Sequence, residues 1–339
     1  CLPPRGEKMS TIGIIANPAS GKDIRRLVSH ATVVDNNEKV NIVKRIILAA
    51  QGAGVTGVMV MPDTFLIGYK AQEDLKGSRE LNIPIEILDM RVKGSVEDTI
   101  LAAKLMEENG VQCIIALGGD GTSRAVAKSI TVTPLISIST GTNNVYPEML
   151  EGTVAGIAAA AVSTRTSNLG QSCRRDKRIE IYKGGKMLDI ALVDCVISKQ
   201  TYIGSRAIWN PEDIQRVIVS RANPASIGFS TIVGVKKIVG EDDNFGASIN
   251  VNTGENELVA PIAAGTMKEI RVDEPVIHPL EEMFSMTMDY KGIMALDGER
   301  ELPFKKGETY HFKISRDGPY RVNIKRTIES AQINGFFNR

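Results

Sequence analysis

Short unbroken apolar runs alternate with helix-patterned stretches through the first 146 residues, and that alternation leaves few folds open to the chain. Residues 12–16 are apolar throughout, as a strand covered on both faces must be. Val40, Val43, Ile47 and Ala50 then recur at helical spacing until Gly52 and Gly54 stop the pattern. Strands are expected again at residues 58–61, 83–88, 112–117 and 134–139. Ser95 and Asp98 form an S-x-x-D start for a helix running to about Asn109. Strand–helix units of this length require parallel strands joined by right-handed crossovers. An α/β domain with a doubly wound, parallel sheet is therefore expected over residues 9–146.

Beyond Tyr146 the texture changes. An Ala-rich helix at 154–163 is followed by short alternating or β-branched runs at 178–182, 188–197, 230–239, 247–251, 269–272, 285–290 and 309–314. Turns such as Lys183-Gly184-Gly185, Asn252-Thr253-Gly254 and Asp297-Gly298 separate them. Many short strands with such turns predict a mostly antiparallel β domain over 147–320, with 321–339 left to return to the first domain.

Bulk properties exclude several functions. Lys plus Arg number 41 against 40 Asp plus Glu, so no net field draws nucleic acid or an anionic membrane. Cys1, Cys113, Cys173 and Cys195 are scattered, and three histidines are too few to complete a zinc set with them. Reduced thiols and a cytoplasmic location are the reading that follows. The longest run of small apolar residues, 154–162, is far short of the roughly 20 residues a membrane-spanning helix needs.

Chemistry is concentrated at Gly118-Gly119-Asp120-Gly121-Thr122, between a buried strand and a helix start. Glycines permit positive φ and let an anion approach the backbone. The helix that follows offers unpaired N–H groups and the positive end of its dipole. A diphosphate fits such a corner. Asp120 in that place could hold Mg²⁺ on the phosphates or accept the proton of an attacking hydroxyl. The spacing is neither that of a G-x-G-x-x-G turn nor that of a Walker loop.

Residues 118–122 resemble the hallmark of the superfamily that contains NAD kinases and diacylglycerol- and sphingosine-type lipid kinases. Three further segments agree with it in order: Asn17-Pro18-Ala19-Ser20-Gly21 with an N-P-x-S-G opening, Thr140-Gly141-Thr142-Asn143-Asn144 with a G-T-x-N segment, and Asp297-Gly298-Glu299 with a D-G-E turn. Within the superfamily the pattern is most similar to the acetoin-catabolism protein X subgroup. The resemblance implies a nucleotide domain, a β-sandwich substrate domain, a cleft between them, ATP and Mg²⁺ as cofactors, and a homo-oligomer. It implies phosphoryl transfer to a hydroxyl of NAD or a related nucleotide.

By that resemblance Asp120, Asp297 and Glu299 are the catalytic acids. Asn17, Gly118, Gly119, Gly121, Thr122, Thr142, Asn143 and Asn144 hold the nucleotide and its phosphates. Asn17 can equally be a turn-making Asn-Pro, 142–144 a helix cap, and Asp297 part of a plain hairpin turn. Asp194, Arg206 and Trp209 are weaker candidates for the acceptor. The NAD-kinase pair that reads adenosine has Val193 where Asn is expected before Asp194. A lipid or small-polyol acceptor, or a non-catalytic nucleotide sensor, therefore stays open. The cluster Arg174-Arg175-Asp176-Lys177-Arg178 reads as a solvated turn.

Overall fold

The computed structural model describes residues 10–20, 32, 34–141, 143–167, 169–199 and 211–338. The first half runs β1 (Thr11–Ala16), α1 (Asn36–Gly52), β2 (Gly57–Val60), α2 (Ile67–Gly77), β3 (Ile85–Ile87), α3 (Val96–Glu108), β4 (Cys113–Gly118), α4 (Asp120–Ala127), β5 (Leu135–Ser139) and α5 (Gly152–Ser163). Its sheet has the order β3-β2-β1-β4-β5 with every neighbour parallel. Period-two alternation feeds two cores. Ile12, Ile14, Cys113, Ile115 and Leu117 face α1, α2 and α5, while Ile15, Ile114 and Ala116 face α3 and α4. This is the doubly wound arrangement expected from the apolar runs. Ser95 and Asp98 form the capping box at the start of α3, and Asp98 also accepts from the amides of Lys93 and Gly94.

The chain continues through α6 (Leu169–Ser172), β6 (Cys173–Arg175), β7 (Arg178–Lys183), β8 (Lys186–Ala191), β9 (Asp194–Ser198), β10 (Ile214–Val219) and α7 (Ser230–Gly234). There follow β11 (Phe245–Ala263), β12 (Thr266–Val272), β13 (Val276–Pro279), β14 (Met283–Thr287), β15 (Gly292–Leu296), β16 (Glu299–Phe304), β17 (Thr309–Ser315), β18 (Tyr320–Val322) and α8 (Ile324–Ile333). Two antiparallel sheets result. The larger has the order β12-β11-β10-β9-β15-β16 with β13 on β11, and the smaller β14-β17-β7-β8. Ile179, Ile181, Cys195, Ile197, Phe312 and Ile314 pack between them. β18 lies parallel beside β5 and carries β6 antiparallel, so the first sheet is completed by strands from late in the chain. Among the described residues no helix is long and apolar enough to cross a membrane.

Two expectations are corrected. Residues 230–239 do not form a strand: Ser230–Gly234 is a buried helical turn, with Ile232 and Val233 packed into the core beside β10 and β11. Burial from all sides overrides the β-branched composition. The run 174–178 is no solvated turn either, because Asp176 and Lys177 are buried at the junction of the two halves. Lys177 Nζ donates to the carbonyls of Gly240 and Phe245, and burial, then the nearby arginines, push its pKa down to about 7.

His278 gives the fold a pH response. Its ring stacks on Phe284 at 3.7 Å, and Nε2 lies 2.8 Å from Ser248 Oγ, which accepts from Arg216. Burial, then the Arg216 charge, lower its pKa from 6.5 to about 4. Because the folded value is the lower one, the unfolded chain binds more protons between the two. This contribution is full above about pH 6.5 and is lost as pH falls toward 4. Urea midpoints measured from pH 7 to 4 should drop, and His278→Asn should flatten that drop.

Candidate active site

Where β4 ends, Gly118 closes the strand and Gly119 caps α4 with extended dihedrals (φ −106°, ψ −167°). The glycines are not needed for positive φ, as none of Gly118, Gly119 and Gly121 adopts it. They are needed for space. A Cβ on Gly118 would lie 2.3 Å from Thr122 Oγ1, one on Gly119 2.9 Å from Asn144 Oδ1, and one on Gly121 2.2 Å from Glu299 Oε1. Each glycine thus receives a side chain from a different part of the chain. Gly118→Ala is expected to cost about 1–3 kcal/mol, because Thr122 is fixed in the first turn of α4 and cannot retreat cheaply. Urea unfolding checks this.

Asp120 opens α4 and points its carboxylate at the segment after β5. Oδ1 accepts from the amides of Tyr146 at 2.7 Å and Val145 at 3.0 Å. Asn17, just past β1, donates from Nδ2 to Thr122 Oγ1 at 2.9 Å, and its own amide donates to Leu117 O. Its Oδ1 accepts from Ala19 N, so the Asn-Pro turn and the glycine turn are bonded together. Ser20 Oγ meets Thr140 Oγ1 at 3.0 Å, and Asn144 Nδ2 donates to Ser139 Oγ and Gly141 O. Asn143 Oδ1 is buried without a hydrogen-bond partner among the described residues. Thr142, Arg206 and Trp209 lie outside the described residues.

Asp297 and Glu299 belong to the β15–β16 hairpin. Asp297 (φ 50°) and Gly298 (φ 82°) make a turn with both central residues left-handed, the geometry D-G favours. They do different things. Asp297 has a fully buried side chain and accepts from the amides of Leu192, Val193 and Asp194 at 2.8, 2.7 and 3.1 Å. Burial raises its pKa, against the lowering by Arg124 and those amides. It ties the hairpin to the bend between β8 and β9. Glu299 is half exposed and stands over Gly121 at the mouth of the cleft. Asp194 is buried behind that bend, and Val193, in the place of the expected Asn, packs in the core against α3 and α4.

Two basic residues escaped notice in the sequence. Arg124, 1% exposed, sits one turn past Asp120 and pairs with Asp189 at 3.4 Å, Glu299 at 3.4 Å and Asp297 at 3.7 Å. It joins α4 of the first domain to β8 and the hairpin of the second. Lys39, fully buried, donates to the carbonyls of Asn17 and Ser20 and to Asn36 Oδ1, fixing the turn after β1 from behind. A charged residue at core spacing, as Lys39 is with Val43 and Ile46, was the available signal.

These parts surround a cleft of about 180 Å³, lined by the turn after β1, the loop after β2, the start of α3, the first turns of α4, and Glu299. Asp63 lines it too, but accepts from the amides of Phe65 and Ile67, and burial raises its pKa. A backbone-lined floor, the start of α4, a half-exposed carboxylate and a donor set of oxygens suit a polyphosphate with a hard divalent cation.

Residues 12–166 match the ATP-NAD kinase N-terminal domain and residues 177–317 the acetoin catabolism protein X C-terminal domain. The structure is similar to yeast NADH kinase complexed with NADH, at a TM-score of 0.53 and 14% identity over 100% of this chain and 93% of that one. A diacylglycerol kinase from Bacillus anthracis str. Sterne gives a TM-score of 0.49 at 12% identity, over 93% and 97%. In sequence the chain is 39% identical over 309 residues to acetoin catabolism protein X of Cupriavidus necator, covering 86% of this chain and 84% of that one. The protein belongs to the acetoin catabolism protein X family, built on the NAD-kinase-type fold.

Proposed function

We propose that this protein is an ATP- and Mg²⁺-dependent kinase that moves the γ-phosphoryl group onto a hydroxyl of NAD or a related nucleotide. One observation carries the reading: the glycine turn, the Asn17 turn and Glu299, from three separate stretches of chain, converge on one cleft at the sheet's carboxyl edge. In open parallel sheets that edge is where ligands bind. Gly119 to Thr122 hold the β- and γ-phosphates with backbone amides and the Thr122 hydroxyl, and Asn17 orients that hydroxyl. Asn143 Oδ1 accepts from a ribose hydroxyl or the acceptor. Mg²⁺ would be held by Glu299 and Asp120 together with the phosphates, and supplies charge neutralisation.

The acceptor oxygen attacks the γ-phosphorus, a new P–O bond forms, the β–γ bridging P–O bond breaks, and ADP leaves. The hydroxyl proton passes to Glu299, which lines the cleft, or to Asp120, next to the lining residue Gly121 with its carboxylate on the amides of Val145 and Tyr146. Val193 at the position expected to read adenosine favours a second reading, in which the same phosphoryl machinery serves another small hydroxyl compound or a lipid. A third reading, a nucleotide sensor without turnover, keeps the binding and drops the transfer.

Purified protein with ATP, Mg²⁺ and NAD should form NADP. If none forms where a control kinase works, while a panel of hydroxy compounds or diacylglycerol micelles is phosphorylated, the acceptor changes and the machinery stands. Saturable ATP binding with no transfer to any of them would leave the sensor reading.

A further inference from the structure

Tyr146 is fully buried, and its amide makes the shortest described contact to Asp120, at 2.7 Å. Two guanidinium groups lie over its ring. That of Arg221 is 4.8 Å from the ring centroid and that of Arg321 is 5.3 Å away. They come from different places: Arg221 follows β10 in the β-rich domain, and Arg321 is on β18, the late strand beside β5. Glu241 joins them, accepting from Arg221 at 2.8 Å and from Arg321. Arg221 also pairs with buried Asp176 at 3.2 Å, and Arg321 with Glu148. Glu148 is itself tied to β5, where Ser139 N donates to its carbonyl.

Nothing in the packing of a single tyrosine demands two arginines, an acidic bridge and a buried aspartate. A cation over an aromatic face fixes ring and charge mutually. Such an assembly orients the backbone that carries the ring, and that backbone holds Asp120. We infer that Tyr146 is a positioning residue for Asp120, and that Arg221 and Arg321 make the placement of this carboxylate depend on the junction between the two domains. This rests on the reading of Asp120 given above. A ligand that moves the β-rich domain against the α/β domain then shifts Arg221 relative to Arg321, and with them the amide on which Asp120 rests.

Arg321→Met is the first variant, since it removes one cation while Arg221 still pairs with Asp176 and Glu241. Arg321→Lys keeps the charge, and keeps the test open if the methionine variant does not fold. The readout is hydrogen exchange at the amides of Val145 and Tyr146, followed by NMR at a single pH, because an amide held by the Asp120 carboxylate exchanges slowly. Both amides should be protected in the wild type and exchange faster in Asp120→Asn. In Arg321→Met the Tyr146 amide should lose most of that protection, with Arg321→Lys restoring it in part and the amides of β4 unchanged. Unchanged Tyr146 protection in Arg321→Met overturns the inference, and so does an equal loss spread through β4. The same variants are assayed for phosphoryl transfer, where kcat should fall about tenfold to a hundredfold with KM for ATP unchanged. If the wild type shows no transfer, the kinase reading fails, and the amide exchange still decides the positioning.

Discussion

Asp120→Asn is expected to lower phosphoryl transfer by about a hundredfold to ten-thousandfold, the range for losing an acid–base or charge-organising group. The substitution is nearly isosteric, but it turns an acceptor into a group that is half donor. The Asp120 carboxylate accepts from the amides of Val145 and Tyr146 at 3.0 and 2.7 Å. An Asn carboxamide can keep its oxygen where Oδ1 meets both amides, but its NH₂ then stands in the place of Oδ2, 3.2 Å from the Val145 amide. A fold cost of about 1–3 kcal/mol should accompany the loss, from a donor left without an acceptor. Initial rates with ATP and the accepted hydroxyl compound, read beside urea melts, separate the two effects. A variant that loses stability but keeps its rate would remove Asp120 from the chemistry.

Asp297→Ala is expected to act on stability first. The Asp297 side chain is fully buried, accepts from three amides and lies 3.7 Å from Arg124, which is itself 1% exposed. Removing it leaves three buried N–H groups and strips a carboxylate from a buried guanidinium. Breaking a buried pair in this way costs about 3–5 kcal/mol. Asp297→Asn should cost less, since one oxygen remains to accept. Chemical denaturation of both variants checks the order. Activity should fall in both, because the hairpin that Asp297 anchors also carries Glu299 to Gly121. If Asp297→Ala melts like the wild type yet is inactive, Asp297 is a reacting acid and not an anchor.

The parallel sheet and the glycine turn were legible because their signals are local. Residues 112–117 are a buried strand by their own composition, and Gly118 to Thr122 form a corner by theirs. The order of the sheet's last strands was not legible. β18 reaches β5 from residues 320–322, and β6 reaches β18 from residues 173–175, through pairings that no nearby residue announces. The part of each glycine was hidden for the same reason. Space at Gly119 and Gly121 is set by Asn144 and Glu299, distant in sequence, and not by dihedral strain at the glycines. Asp297 and Glu299 looked like one acid pair because they stand two residues apart. The hairpin sends one inward to the β8–β9 bend and the other to the cleft. The arginine junction was read as solvent because charge runs usually are, whereas here opposite charges from residues 174–178, 221, 241–243 and 316–321 meet and cover one another.

Titration calorimetry of Mg·ATP against the wild type and Gly121→Val tests the central claim most directly. The valine Cβ would lie 2.2 Å from Glu299 Oε1, so the side chain enters the cleft wall and the half-exposed Glu299 must swing aside. The wild type should bind one nucleotide, and Gly121→Val should bind at least about tenfold more weakly, a difference of about 1.4 kcal/mol, with its urea midpoint close to that of the wild type. Equal affinity in the two proteins would place the phosphates somewhere other than the glycine turn.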